Sequence, residues 1–177
     1  MTDEIKVIIT GHFSAGKTQF IKTLTGNAVS TEVPLTDKGE AVEKDLTTVA
    51  LDYGNIEIDG KKVHLFGTPG QERFDFMLDV LSKNFDAVII LLDSTNREGI
   101  EKTKKFIKYF INHKKPLVIA CNKQDLDNKL SISEISEILN IPEKYLKPLV
   151  ATDKNKTTSL VKELINFVEE RSRLNRV

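Results

Sequence analysis

Three short runs of apolar, largely β-branched residues recur along the chain, at Ile5 to Thr10, Ala87 to Leu92 and Leu117 to Cys121, and none alternates with polar residues. A strand that is apolar on both faces is a strand buried on both faces, as in a parallel sheet covered by helices. The covering helices are marked by apolar residues at helical spacing: Ile100, Ile107, Phe110 and Ile111 form one stripe, and Leu160, Leu164, Phe167 and Val168 another. A third helix opens at Ser131, which is spaced for a capping box with Glu134 ahead of Ile135, Ile138 and Leu139. Around Asp59-Gly60 the period changes to two. Tyr53 to Ile58 and Lys62 to Phe66 alternate polar with apolar, which predicts an antiparallel hairpin on a type I′ turn. The pattern as a whole predicts an open, mostly parallel α/β sheet with helices on both faces and one antiparallel edge. From Gly26 to Leu46 the chain is polar, includes Pro34 and Gly39, and keeps no period. A loop of that length inside a compact domain is usually functional or mobile.

With 177 residues, 40% of them hydrophobic, the chain can bury one substantial core, and a single domain over 1–177 is expected. Lysine plus arginine equal aspartate plus glutamate at 26 each, so no global field draws in nucleic acid or an anionic membrane, and partners must be recognised locally. The one cysteine, Cys121, lies inside an apolar run and is read as packing, which excludes a disulfide framework and favours a reducing compartment, the cytoplasm. No apolar stretch reaches the length of a bilayer span. Neither a signal peptide at the start nor a myristoylation or prenylation signal is recognisable, so no membrane anchor is expected.

Gly11-His12-Phe13-Ser14-Ala15-Gly16-Lys17-Thr18 fits GxxxxGK[ST], follows a predicted strand and precedes a helix-compatible run from Gln19 to Leu24. This is a phosphate-binding loop. Its glycines let the backbone N–H groups, those of Ser14, Ala15, Gly16, Lys17 and Thr18 among them, turn inward around a phosphate at a helix N-terminus. Lys17 neutralises the β and γ phosphates, and Thr18 offers a hydroxyl to the Mg²⁺ that bridges them. Asn122-Lys123-Gln124-Asp125 stands where the last apolar strand should leave the sheet. Guanine presents N1–H and an exocyclic amine side by side, and the two oxygens of Asp125 accept both; adenine has no such pair. Lys123 lays its stem over the base and Asn122 braces the loop.

In order along the chain stand the phosphate loop, then Gly67-Thr68-Pro69-Gly70-Gln71 after the hairpin, then Asn122 to Asp125, then Ala151-Thr152-Asp153 after a further short strand. With these motifs in that order, residues 4 to 172 resemble the Ras-like small GTPases. The resemblance implies a three-layer P-loop NTPase fold, with a six-stranded, mostly parallel sheet, one antiparallel edge strand and about five helices. It implies GTP or GDP with Mg²⁺ at the C-terminal ends of the parallel strands. It implies that Gly70 gives a backbone N–H to the γ-phosphate and that Gln71, catalytic with Lys17, orients the attacking water. Thr48, with Thr47 as the alternative, looks like the switch threonine that adds a hydroxyl to Mg²⁺. Ala151 matches the residue whose N–H meets the guanine O6, with Thr152 beside it; Thr152 and Asp153 match that loop less well.

The sequence also departs from the pattern. Gly67 stands where most of these proteins carry an aspartate that holds Mg²⁺ through water. Asp93 at the end of a strand and Asp52 near the switch are possible substitutes, but each reads as a loop or surface carboxylate, so neither is assigned to the metal. Phe13 places a ring in the phosphate loop, and Arg73, just after Gln71, reads as a solvated switch residue. Hydrolysis is therefore expected to be slow, with an outside arginine supplying ~10³–10⁵ in rate. The alternative is a GTP-binding scaffold that hydrolyses little because of Gly67 and Phe13. A small-molecule kinase is disfavoured by Asp125. Effectors and activating or exchange proteins are the implied partners, and the switch motifs are similar to a prokaryotic branch that works with roadblock-fold regulators. His12, His64 and His113 have no metal-ligand spacing, and Lys102, Lys104, Lys105 and Lys108 read as a solvated helix face.

Overall fold

The structure, a computed structural model, describes residues 4–34, 48–68 and 84–176. Its strands are β1 (Glu4–Gly11), β2 (Val29–Pro34), β3 (Thr48–Ile58), β4 (Lys61–Gly67), β5 (Ala87–Asp93), β6 (Leu117–Asn122) and β7 (Leu146–Pro148). Its helices are α1 (Lys17–Thr25), α2 (Arg97–Asn112), α3 (Ile132–Leu139) and α4 (Lys154–Leu174). The three apolar runs are the central strands, and their two faces feed two separate cores. Val7, Ile9, Ile89, Leu91 and Ala120 pack with α1 and α4, whereas Ile8, Ile90, Leu92, Ile119 and Cys121 pack with α2 and α3. Helices on both faces of a P-loop sheet give the expected α/β fold.

One sheet runs β2-β3-β4-β1-β5-β6-β7. The six anticipated strands are all present, and β2 is a seventh. It comes from the segment read as a loop, where Val29, Thr31 and Val33 alternate with Ser30, Glu32 and Pro34 across a ladder with β3. The signal was there, but six residues ending in a proline are too few to outweigh the polar stretch behind them. Because β2 covers β3, the single strand that runs against the others among the described residues is one place in from the edge. The hairpin turn is as expected: Asp59 and Gly60 both have positive φ, 51° and 80°, the type I′ signature.

The capping box at Ser131 is also present. Its hydroxyl accepts from the Glu134 N–H at 3.1 Å, and the Glu134 carboxylate accepts from the Ser131 N–H at 2.7 Å. Ser131→Ala should lower stability by about 1 kcal/mol in urea unfolding; an unchanged midpoint would deny the cap any contribution. Two apolar positions depart from the predicted stripes, since Ile111 and Phe167 are exposed. They lie toward the C-terminal ends of α2 and α4, and with Leu117 and Tyr145 they line an apolar cavity of about 570 Å³ at the N-terminal end of β6.

The chain leaves β1 toward one side of the sheet and returns through β5 on the other, so the strand order reverses between β1 and β5. Such a reversal opens a crevice at the carboxyl ends of the strands. Gly11, Asp93 and Asn122, the last residues of β1, β5 and β6, all stand at that end.

Candidate functional site

The loop from Gly11 to Lys17 joins β1 to α1 and is folded by two glycines in conformations that a side chain would resist. Gly11 has φ 148°, and a Cβ there would lie 2.1 Å from the Leu91 carbonyl oxygen; Gly16 has φ 102°, and its Cβ would lie 2.4 Å from the Asn122 amide nitrogen. Ala15 is buried, while Ser14 and Phe13 are exposed, Phe13 to 74%. Lys17 is only 8% exposed, and its ammonium donates to the carbonyls of Gly11 and His12, both at 2.9 Å. Burial pulls the Lys17 pKa down to about 8, against the opposing pull of the Asp52 carboxylate. A buried ammonium held by neutral carbonyls is stabilised when phosphate oxygens come to it.

Asn122, 3% exposed, joins this loop to the two segments assigned to the base. Its side-chain amide donates to the Ala15 carbonyl at 3.0 Å, and its side-chain oxygen accepts from the Ala151 N–H at 2.9 Å. The bracing role expected of Asn122 thus has a definite geometry. In the same contact the Ala151 N–H, assigned from the sequence to guanine O6, is directed to Asn122 instead. Thr152, next in that turn, and Asp125 are both exposed.

Lys123, with φ 67°, reaches Asp93 rather than open solvent; the two form an ion pair at 2.7 Å. Asp93 also accepts from the Thr95 N–H at 2.8 Å and the Thr95 hydroxyl at 2.7 Å. Although burial pushes the Asp93 carboxyl up, these hydrogen bonds from Lys123 and Thr95 outweigh it and hold the group below the usual carboxylate range. Asp93 is therefore no surface carboxylate: it is 5% exposed and ties Lys123, just beyond β6, to the end of β5.

Asp52 was also read as peripheral, and the structure places it beside the phosphate loop. Its carboxylate accepts from the Thr18 hydroxyl at 2.5 Å. In the β3–β4 ladder Asp52 is the direct partner of Gly67, the position that lacks the expected aspartate. A Cβ built on Gly67 would lie 3.3 Å from the Asp52 Cβ, so the two positions share one spot on one face of the sheet. A signal for this existed: the two-residue turn fixes the register, and six residues back from Ile58 and six forward from Lys61 are Asp52 and Gly67.

Thr48 begins β3 opposite Pro34, but its side chain, together with Thr47, Gly70, Gln71 and Arg73, lies outside the described residues. Thr68, next to that segment, is anchored, with its N–H on the Ile9 carbonyl and its hydroxyl 2.9 Å from that of Thr10. The Cys121 thiol is fully buried, and burial pushes its pKa up to about 12, as suits a packing residue.

Residues 1–168 match the model of the ADP-ribosylation factor family. The chain is 32% identical over 165 residues to an uncharacterized protein of Methanocaldococcus jannaschii, a match covering 93% of this chain and 97% of that one. It is 28% identical to the ADP-ribosylation factor-related protein 1 of Bos taurus, over 75% of this chain and 66% of that protein. It is 29% identical to the ADP-ribosylation factor-like protein 5A of Bos taurus, over 78% of this chain and 72% of that protein.

Proposed function

The chain belongs to the ADP-ribosylation factor family and is a GTP-binding small GTPase, and from that premise we propose that it works as one G domain, cycling between GTP and GDP with Mg²⁺ as a slow molecular switch. The observation that carries this reading is Asn122. One buried side chain touches both the phosphate loop, through Ala15, and the loop that begins at Ala151, so phosphate and base recognition are set by a single brace. Base selection falls to Asp125, with Lys123 along the base and the Ala151–Thr152 turn closing the far edge.

The donor set suits a hard cation, because Thr18 and Asp52 present a hydroxyl and a carboxylate 2.5 Å apart beside Lys17. Thr18 would hold Mg²⁺ directly, Thr48 would join it, and Asp52 would take the part of the aspartate that Gly67 lacks. The ion supplies neutralisation of the charge on the β and γ phosphates. Gly67 is then a relocation of the carboxylate rather than its loss, which removes one of the two reasons for reading the chain as a scaffold without hydrolysis. The other, Phe13, is exposed on the phosphate loop and leaves the rate dependent on an arginine from outside.

Gly70 and Gln71 complete the proposal, the first on the γ-phosphate and the second orienting water. Effectors and activating or exchange proteins read the switch segments, a roadblock-fold regulator being the class carried by the sequence resemblance. The site of action proposed is the cytoplasm; no helix among the described residues is long and apolar enough to cross a membrane. Single-turnover hydrolysis with Mg²⁺ tests the whole reading. GTP-selective phosphate release, lost in Gln71→Ala, is expected. Tight GTP binding with no turnover would leave the scaffold, and equal use of ATP would overturn the assignment of Asp125 to guanine.

A further inference from the structure

His12 is the second residue of the phosphate loop, yet it is buried, with 5% of its surface exposed. Its Nε2 lies 2.9 Å from the backbone N of Asp93 and its Nδ1 2.7 Å from the Phe13 carbonyl. A backbone N–H can only donate, so Nε2 carries no proton and accepts; the proton is on Nδ1 and is donated to Phe13. The contact joins residues 81 apart in sequence and fixes one neutral tautomer. Room for the ring is provided by Gly99 in the first turn of α2, where a Cβ would lie 2.5 Å from the imidazole Cε1. The residue His12 holds, Asp93, is the one whose carboxylate holds Lys123 of the base-reading loop.

We propose that His12 is a positioning residue that clamps the phosphate loop to the base-reading loop through Asp93, holding bound nucleotide while the imidazole is neutral and loosening both loops when it is protonated. A proton on Nε2 would face the Asp93 N–H donor to donor, so the imidazolium cannot keep this contact. Among the described residues the charged groups acting on the ring are Lys17 from its own loop, Asp93 from β5 and Lys123 from the base-reading loop, while α2 packs the backbone of Gly99 against it. Burial, the largest influence, lowers the His12 pKa below its ordinary value, and both lysines lower it further, against the Phe13 hydrogen bond and Asp93. The sign follows: an imidazole depressed in the fold leaves the contact intact above about pH 6.5, and acid removes it as the pH falls through the lower folded value.

The inference rests on the nucleotide-binding reading above, and the experiment separates the two. Dissociation of a fluorescent GDP from the full chain with Mg²⁺ is followed from pH 7.5 down to 4.5, so that the range passes well below the ordinary imidazole value. We expect the rate to rise at least about tenfold, the equivalent of one lost hydrogen bond. In His12→Gln, whose amide oxygen reaches the Asp93 N–H without titrating, the ratio of the two rates should fall to about one. Nucleotide phosphates titrate in the same range, and that ratio separates them from the ring. In the unsubstituted protein, imidazole ¹⁵N spectra should show the Nδ1–H tautomer at pH 7.5 and its loss in step with the rate. A flat rate profile, an equal acid response in His12→Gln, or an Nε2–H tautomer would each overturn the proposal while nucleotide binding stood. No guanine-nucleotide binding at pH 7.5 would overturn both.

Discussion

Lys17→Ala will weaken GDP and GTP binding by about two to four orders of magnitude, measured by equilibrium fluorescence titration at pH 7.5. The loop holds the ammonium at 8% exposure on the Gly11 and His12 carbonyls, in the turn proposed to take the phosphates. Burial disfavours its charge and lowers its pKa to about 8, against the pull of the Asp52 carboxylate. Phosphate relieves that, and removing the lysine leaves phosphate charge in a buried cradle without its counter-charge. Breaking a buried ion pair from one side costs ~3–5 kcal/mol, which sets the expected loss. The same reasoning gives a control. Without nucleotide, Lys17→Ala should melt no lower than the parent, because the cost of burying the charge offsets its two carbonyl hydrogen bonds. Unchanged affinity would show that the loop does not bind phosphate; lost affinity with a lower melting point would show a structural defect instead.

Asp52→Asn will raise the Mg²⁺ concentration needed to retain nucleotide by about 10–100-fold, the usual range when a carboxylate supporting a metal site is neutralised. The readout is the dissociation rate of GDP against free Mg²⁺, which requires no turnover. The stronger test exchanges the two residues of one register pair. Asp52→Gly combined with Gly67→Asp moves the carboxylate across the ladder to the position where most Ras-like proteins have it. The exchange is sterically reasonable: a Cβ at Gly67 meets the Asp52 Cβ at 3.3 Å, which the exchange removes, and Ile21 Cδ1 at 3.0 Å, which must give slightly. Gly67 is not among the residues with positive φ, so a side chain there is not strained by the backbone. Recovery of the parent Mg²⁺ dependence in the double variant is expected. A parent-like dependence in Asp52→Asn would detach Asp52 from the metal, and failure of the exchange to restore it would deny that the two positions are equivalent.

Both predictions depend on how far the chain could be read before folding. The central strands, the capping box at Ser131 and the type I′ turn at Asp59-Gly60 were legible because each is local. Burial on two faces, a hydroxyl three residues from a carboxylate, and a pair of residues that tolerate positive φ all leave marks within a few positions. The GxxxxGK[ST] and Asn122 to Asp125 patterns were legible as motifs for the same reason. β2 was missed because its partner β3 lies beyond a polar gap, and a six-residue strand is stabilised by the pairing rather than by itself. Ile111 and Phe167 were misplaced because a helical stripe gives the angle of a face and not how far along the helix its cover extends.

By itself, then, the sequence determined the parallel core, the glycine turn between β1 and α1, the capping box at Ser131 and, through the turn at Asp59-Gly60, even the register that sets Asp52 against Gly67. Only the tertiary structure decided which carboxylate serves which loop. Asp93 and Asp52 look alike in sequence, each an acidic residue in or at the end of a strand. The fold buries one against Lys123 and Thr95 and sets the other on Thr18. It alone brought His12 to the Asp93 N–H across 81 residues, because a hydrogen bond between two strand ends depends on the order in which the strands are laid side by side, and no local pattern records that order.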